Sequence, residues 1–158
     1  MPEMNRREFV AAAAAAAACA CALSCPFAMG AGESATVDVG PLSDFATDGP
    51  VDKFAKSHKL LVVRDGGRLF APTALCTHKR AVLMVDGGQI VCPKHDSPFD
   101  NQGVPLAQTA DGEETPAKQP LERFAISVNG QGRVIVDRAK RFGRDQWDDA
   151  ASFVKLDA

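Results

Sequence analysis

The residues best suited to chemistry lie in two short blocks, Cys76-Thr77-His78 and Cys92-Pro93-Lys94-His95. Each block pairs a thiolate donor with an imidazole donor, and 13 residues separate His78 from Cys92. The blocks contain every cysteine after residue 25 and two of the three histidines in the chain. Thiolates and imidazoles are the ligands of zinc and of iron–sulfur clusters. The pattern therefore predicts that the four side chains meet at one metal centre.

The order Cys-x-His followed by Cys-x-x-His resembles the ligand pattern of the Rieske family. In that family two cysteines hold one iron of a [2Fe-2S] cluster and two histidines hold the other. The resemblance implies that Cys76 and Cys92 bind one iron and that His78 and His95 bind the other. Two neutral imidazoles in place of two thiolates make the oxidised cluster less negative, which favours its reduction. Such a centre passes single electrons, so we expect an electron-transfer subunit rather than a stand-alone catalyst.

The residues around the second block refine this expectation. Ser97 matches a serine that, in Rieske proteins of cytochrome bc complexes, donates a hydrogen bond to a bridging sulfide and raises the potential. Phe99 occupies a tyrosine position and offers no hydroxyl. Ala81 and Lys94 stand where high-potential members have a disulfide between the cluster loops. The resemblance therefore implies a potential below that of the high-potential members.

Glycine-rich turns predict a mostly β chain. Asp65-Gly66-Gly67, Asp86-Gly87-Gly88 and the segment 129–132 each separate two short apolar segments, which is typical of β-hairpins. Short strands joined in this way favour an antiparallel sandwich or barrel. The resemblance implies a Rieske-type fold at residues 33–139, with a cluster-binding subdomain inserted at about 76–120. Part of that subdomain, residues 115–121, resembles the proline-containing loop that covers the cluster.

The N-terminal segment, residues 1–32, has the layout of an export signal. Arg6 and Arg7 precede an uncharged stretch, residues 9–32, that includes eight consecutive alanines. This resembles a twin-arginine signal, which suits a protein that must fold around its cluster before export. We expect a periplasmic protein or one on the outer face of the bacterial inner membrane. Cleavage, lipidation at Cys25 and retention as a membrane anchor all remain open.

The net charge limits the possible binding partners, and the chain length limits the number of domains. The formal net charge of the 158 residues is −2, whereas nucleic-acid-binding proteins usually carry a clustered basic surface, so no nucleic-acid partner is expected. A chain of this size supports one modest core. Residues 140–158 form a C-terminal tail that can contain a helix beginning near Asp145.

The favoured function is an exported Rieske [2Fe-2S] electron-transfer subunit of a membrane or periplasmic oxidoreductase complex. Its redox partner would be a quinol-oxidising complex, a molybdenum oxidase or a cytochrome. One alternative is a soluble Rieske-type ferredoxin. Another alternative is a non-redox binding domain. Its loops would be held together by a zinc ion bound to the two cysteines and two histidines (Cys2His2), or by a disulfide between Cys76 and Cys92. A terminal oxygenase is excluded because its second iron needs two more histidines and a carboxylate, and only His58 is left.

Overall fold

The computed structural model describes residues 35–156, and the chain within this range is nearly all β. One short helix, α1 (Ala55–His58), and two 3-10 turns, Leu42–Phe45 and Arg144–Gln146, lie among the strands. The strands are β1 (Thr36–Pro41), β2 (Gly49–Val51), β3 (Val62–Asp65), β4 (Arg68–Pro72), β5 (Met84–Asp86), β6 (Gln89–Cys92), β7 (Ser97–Phe99), β8 (Arg123–Val128), β9 (Arg133–Phe142) and β10 (Val154–Lys155). The export segment predicted at residues 1–32 lies outside the described residues.

The strands form two sheets in which every pairing is antiparallel. The larger sheet has the order β1-β9-β8-β4-β3-β2, and β10 pairs with β4. The smaller sheet has the order β5-β6-β7 and is inserted between β4 and β8. The antiparallel β fold class and its inserted subdomain, both expected from the sequence, are confirmed.

Two tight hairpins form where paired glycines supply the backbone conformation. Gly66 and Gly67 have φ values of 56° and 76°, and they connect β3 to β4. Gly87 and Gly88 have φ values of 53° and 83°, and they connect β5 to β6. Two consecutive residues with positive φ make the type I′ turn, whose twist matches that of the flanking strands. These turns set the register of the strands that lead to both ligand blocks.

Strands β3 and β4 lie between two hydrophobic cores. Val62 and Leu69 pack into a core shared with β1, β8 and β9, whereas Val63 and Phe70 pack into a second core that includes the smaller sheet. Successive side chains of a strand point to opposite faces, so two neighbouring strands can serve both cores. The subdomain that carries the ligand blocks is therefore packed directly on the central strands of the larger sheet.

The C-terminal tail differs from the helix considered for residues 140–158. Strand β9 continues through Phe142, a single 3-10 turn follows, and the chain then returns to the large sheet as β10. The N–H of Ile126 donates to the carbonyl of Ala151 at 3.0 Å, which anchors the returning segment before β10 begins. Backbone pairing with the sheet thus replaces local helical hydrogen bonds.

No helix between residues 35 and 156 has the length and apolar character needed to cross a membrane.

Candidate metal centre

The first ligand block lies in a tight loop between β4 and β5. The N–H of Cys76 donates to the carbonyl of Ala81 at 2.9 Å, and the N–H of Arg80 donates to the carbonyl of Cys76 at 2.9 Å. Leu75 and Val82 form a β-bridge at the base of the loop. Arg80 closes the turn with a φ of 53°, in the left-handed region. The loop therefore holds Cys76 at its base and presents His78 at its tip.

The second ligand block lies in the turn between β6 and β7. Cys92 ends β6 and pairs with Ser97 across the turn. His95 stands within the turn, and Asp96 takes a left-handed φ of 48° that reverses the chain. Aspartate tolerates this conformation better than most residues. The turn thus repeats the arrangement of the first loop, with the cysteine at the base and the histidine further out.

The two cysteine side chains meet inside the subdomain. Each is 1% exposed, both are free thiols, and both belong to the second core. Burial raises the pKa of the Cys76 thiol, and the neighbouring Cys92 raises it further. The backbone N–H groups of His78 and Lys79 donate to the sulfur of Cys76 and act in the opposite direction. N–H groups aimed at a sulfur stabilise its thiolate, which is the form that binds a metal.

The two histidine side chains meet nearer the surface. The ring centroids of His78 and His95 are 4.8 Å apart, with the ring planes inclined by 53°. His78 is exposed and His95 is half-buried. Desolvation, then the neighbouring His95, then Lys79 and Lys94 lower the pKa of His78, which favours the neutral imidazole that a metal requires.

The structure therefore brings together all four residues predicted as ligands, as two pairs. Two thiols lie inside and two imidazoles lie outside. Across residues 35–156, no three His, Cys, Asp or Glu side chains converge on a single point suited to one metal ion. Two donor pairs of different chemistry are what a cluster with two irons needs, one pair for each iron.

Ser97, the fifth predicted site residue, is buried beside this arrangement. Its side chain is 0% exposed, and its Oγ has no hydrogen-bond partner among the described residues. A buried hydroxyl without a partner costs about 1–3 kcal/mol, so such a group normally has an acceptor. An acceptor such as a bridging sulfide would satisfy it, and the donor set together with this hydroxyl fits a [2Fe-2S] cluster.

The proline-containing loop predicted as a cover packs against the first ligand loop. Thr77 Oγ1 donates to the carbonyl of Gln119 at 2.9 Å. Ala117 and Leu121 are each 1% exposed and belong to the same core as the two cysteines. The N–H of Leu121 donates to the carbonyl of Gly103 at 2.8 Å, which fixes the loop to the segment after β7.

Sequence reasoning missed one residue that supports the site, Arg123 at the start of β8. Its guanidinium carbon lies 3.9 Å from the ring centroid of Phe70 and 3.9 Å from that of Trp147. It also donates to the backbone carbonyl and side-chain oxygen of Gln102, in the segment after β7. Burial is the main cause that lowers the pKa of Arg123 to about 10, so it remains a cation at neutral pH. The basic side chain gave no local signal of burial.

Comparison with known sequences gives one family. Residues 35–128 match the family described as the Rieske [2Fe-2S] domain. The chain is 29% identical over 104 residues to the cytochrome b6-f complex iron-sulfur subunit of Chlorobaculum tepidum, covering 64% of this chain and 52% of that subunit. It is 31% identical over 102 residues to the anthranilate 1,2-dioxygenase ferredoxin subunit of Burkholderia cepacia, covering 62% of this chain and 89% of that subunit. The chain thus spans about half the length of the first relative and most of the second.

Comparison with solved structures agrees on the fold. The apo form of a quaternary ammonium Rieske monooxygenase, CntA, superposes with a TM-score of 0.50 at 19% identity, over 75% of this chain and 37% of that one. This likeness shows a shared fold. The Rieske-type architecture expected from the sequence is confirmed.

Proposed function

Because this chain belongs to the Rieske [2Fe-2S] family, whose domain binds a [2Fe-2S] cluster and acts in electron transfer, we propose that it is an exported electron-transfer subunit of a membrane or periplasmic oxidoreductase complex. The observation that carries the electron-transfer site is the buried pair of thiols on the same two loops as the more exposed pair of imidazoles. Export is supported by the sequence of residues 1–32 alone.

The proposed ligands are Cys76 and Cys92, which would hold one iron, and His78 and His95, which would hold the other. Support comes from donor chemistry, since two thiolates and two imidazoles are the ligand set of a Rieske cluster. The backbone N–H groups of His78 and Lys79 stabilise the thiolate of Cys76. When bound, the cluster accepts and releases one electron at a time.

The surrounding residues bury the cysteine side of the site and leave the His78 side exposed to solvent. The cysteines lie in a core that includes Ile90, Phe99 and Leu121, and this packing keeps water from the sulfurs. The imidazole of His78 reaches the surface. A redox partner can approach the cluster more closely at this exposed imidazole than at the buried cysteines. We therefore assign electron transfer to the partner to the surface around His78.

The ligand proposal is tested by spectroscopy of the full chain, loaded anaerobically with iron and sulfide. Cys92→Ser and His95→Ala should each abolish the Rieske absorption and the electron paramagnetic resonance signal of the reduced protein. His58→Ala is the matched control, because it removes the one histidine that the site does not use and should keep both signals. A loaded protein that keeps its Rieske signals without His95 would overturn the assignment.

The export proposal needs a separate test in a bacterium with a twin-arginine translocase. Arg6→Lys combined with Arg7→Lys should leave the protein in the cytoplasmic fraction, whereas the unchanged chain should reach the periplasmic or membrane fraction. Arg141→Lys combined with Arg144→Lys makes the same two substitutions at the end of β9 and just after it, and should not alter the location. Equal distribution of all three chains would refute export by this route.

A soluble ferredoxin is the second candidate, and one observation favours it. The match to the Burkholderia cepacia ferredoxin subunit covers 89% of that protein, so nearly the whole of that subunit corresponds to a region of this chain. This candidate expects the chain with its loaded cluster to stay in the cytoplasm, irrespective of Arg6 and Arg7. The fractionation experiment therefore separates the two candidates without knowledge of the partner.

A further inference from the structure

A groove of about 590 Å³ runs beside the first ligand loop. Its lining includes His78 and Arg80 of that loop, and Arg141 and Arg144, at the end of β9 and just after it. Gln119 of the covering loop and Glu122 also contribute to its lining. We call this feature the basic groove. The exposed residue His78 is part of its lining.

The charges of the basic groove are mostly unneutralised. Arg141 pairs with Glu122 at 3.2 Å, with both side chains about half exposed. Arg80 and Arg144 have no carboxylate within ion-pair distance in the part of the chain that the structure describes. Three guanidinium groups therefore face one carboxylate, which leaves the groove with an excess of positive charge.

Two of the arginines are held in place by aromatic rings. The guanidinium carbon of Arg144 lies 4.6 Å from the ring centroid of Trp147, and that of Arg141 lies 5.2 Å from the ring centroid of Phe124. A guanidinium stacked on a ring keeps the N–H donors at its edge free for a carboxylate. Because the donors are already oriented, less conformational entropy is lost when an anion binds.

The side of the site next to His95 has the opposite charge. His95 lines a second cavity, of about 300 Å³, together with Asp96, Asp111, Glu113 and Glu114. Glu114 pairs with Lys118 at 2.5 Å, so four carboxylates face one ammonium group and the excess charge is negative. The N–H of Thr109 donates to the carbonyl of Glu113 at 2.8 Å, so this acidic segment is folded back on itself rather than extended. The two imidazoles therefore have basic surroundings at His78 and acidic surroundings at His95, which distinguishes two directions of approach.

We propose that the basic groove receives an acidic segment of the protein that exchanges electrons with this chain. The inference rests on the proposed function and adds the side from which the partner approaches. Carboxylates of that segment contact Arg80 and Arg144, and this contact brings the partner's redox centre toward His78. The acidic residues beside His95 repel the same segment, so the partner docks in one orientation.

The first test measures electron transfer to a small anionic oxidant. The reduced, cluster-loaded full chain gives one electron to ferricyanide, which becomes ferrocyanide, while the cluster becomes oxidised. Arg80→Gly combined with Arg144→Gln should lower the second-order rate constant about fivefold at low ionic strength, since clustered charge steers ions of opposite sign. The difference should vanish near 1 M salt, where the Debye length is about 3 Å. Hexaammineruthenium(III), a cationic oxidant, should not be slowed.

Arg68→Gln is the matched control for this test. Arg68 is exposed and stacks on Phe153, with its guanidinium carbon 4.8 Å from the ring centroid, but it does not line the basic groove. Its substitution should leave the ferricyanide rate within about 20% of the unchanged protein, because isolated surface charges act weakly. Glycine at position 80 suits the left-handed backbone there, so the double variant should fold.

The second test asks whether the groove takes a peptide and not only small anions. A hexaglutamate peptide should bind the loaded chain in calorimetric titration and should slow its oxidation by ferricyanide. The double variant should lose both effects, and Arg68→Gln should keep them. Equal ferricyanide rates in the double variant and the unchanged chain, or a failure of hexaglutamate to bind, would overturn the proposed groove. A chain that never takes up a cluster would instead overturn the proposed function, and calorimetry would still test the groove.

Discussion

Arg123 Nη2 donates a hydrogen bond to Gln102 Oε1 at 2.7 Å, and this bond joins β8 of the large sheet to the segment that follows the second ligand block. Gln102 in turn donates from its Nε2 to Asp65 at the end of β3. The aromatic rings of Phe70 and Trp147 enclose the guanidinium from both sides. One cation therefore connects the ligand-bearing subdomain, the central strands and the C-terminal tail.

Arg123→Met should lower the free energy of unfolding by about 2 kcal/mol. Two acceptors on Gln102 lose a charged donor, and two cation–π contacts are lost, while removal of a buried charge offsets part of the loss. Urea denaturation followed by the fluorescence of Trp147, the single tryptophan of the chain, measures the change. Arg141→Met is the control, because the half-exposed Arg141 makes weaker contacts, with Glu122 and Phe124, and its substitution should cost about 1 kcal/mol or less. Equal losses in the two variants would contradict this account of Arg123.

Ser97→Ala should lower the reduction potential of the loaded protein. The buried hydroxyl has no partner among residues 35–156, and a hydrogen bond to the cluster would favour its reduced, more negative form. A difference of about 1.4 kcal/mol between the two oxidation states corresponds to about 60 mV for one electron. Protein-film voltammetry measures the potential, and Ser127→Ala, at an exposed position of β8, should leave it unchanged. An unaltered potential in Ser97→Ala would place the hydroxyl away from the cluster.

The parts of the fold that the sequence could predict are those with a local cause. The paired glycines at 66–67 and 87–88 specify hairpins because their positive φ values fit the type I′ turn. The ligand blocks were recognisable because the spacing of cysteine and histidine within each block is short and distinctive. The structure brings Cys76 and Cys92 together across the two loops, as this spacing predicts.

The parts that could not be predicted depend on contacts between distant segments. The buried position of Arg123 requires Phe70, Gln102 and Trp147, which come from three separate regions of the chain. Between residues 140 and 156 the tail forms no long helix, because Ser152 Oγ donates to the carbonyl of Trp147 at 2.7 Å and the chain then pairs with β4. Local helix propensity is a weak preference that such tertiary contacts override.

Acid should weaken the pairing of β1 with β9 through Asp38. The side chain of Arg133, chiefly through a hydrogen bond, and the N–H of Gly40 lower the pKa of Asp38 below its usual value of about 3.8. A carboxyl whose pKa is lower in the folded state stabilises the fold above its unfolded pKa, and this contribution is lost as the pH falls through the folded pKa. Asp38→Asn should therefore shift the urea midpoint downward at pH 6 and have a smaller effect at pH 2.

The control for this prediction repeats the comparison in Arg133→Gln. Without the guanidinium, Asp38→Asn should have a smaller effect at pH 6, because the main cause of the lowered pKa has been removed. An effect of Asp38→Asn that is the same at pH 6 and pH 2 would show that the carboxylate charge contributes nothing to the stability of the fold.

Gly103→Ala should loosen the covering loop over the candidate site. Gly103 has a φ of 86°, and a Cβ added there would lie 3.2 Å from the Cβ of Leu121. Gly112 has a nearly equal φ of 83°, but a Cβ added there meets no atom within 4 Å. Both substitutions place a side chain in the left-handed region, at a cost of about 1–2 kcal/mol, and only Gly103→Ala also displaces Leu121. We therefore expect Gly103→Ala to lower the free energy of unfolding, measured by urea denaturation, by about 1 kcal/mol more than Gly112→Ala. Because Leu121 packs in the same core as the two cysteines, the loaded Gly103→Ala variant should also lose its cluster colour faster in air. Equal stability and equal bleaching of the two variants would show that the contact between Gly103 and Leu121 does not hold the loop.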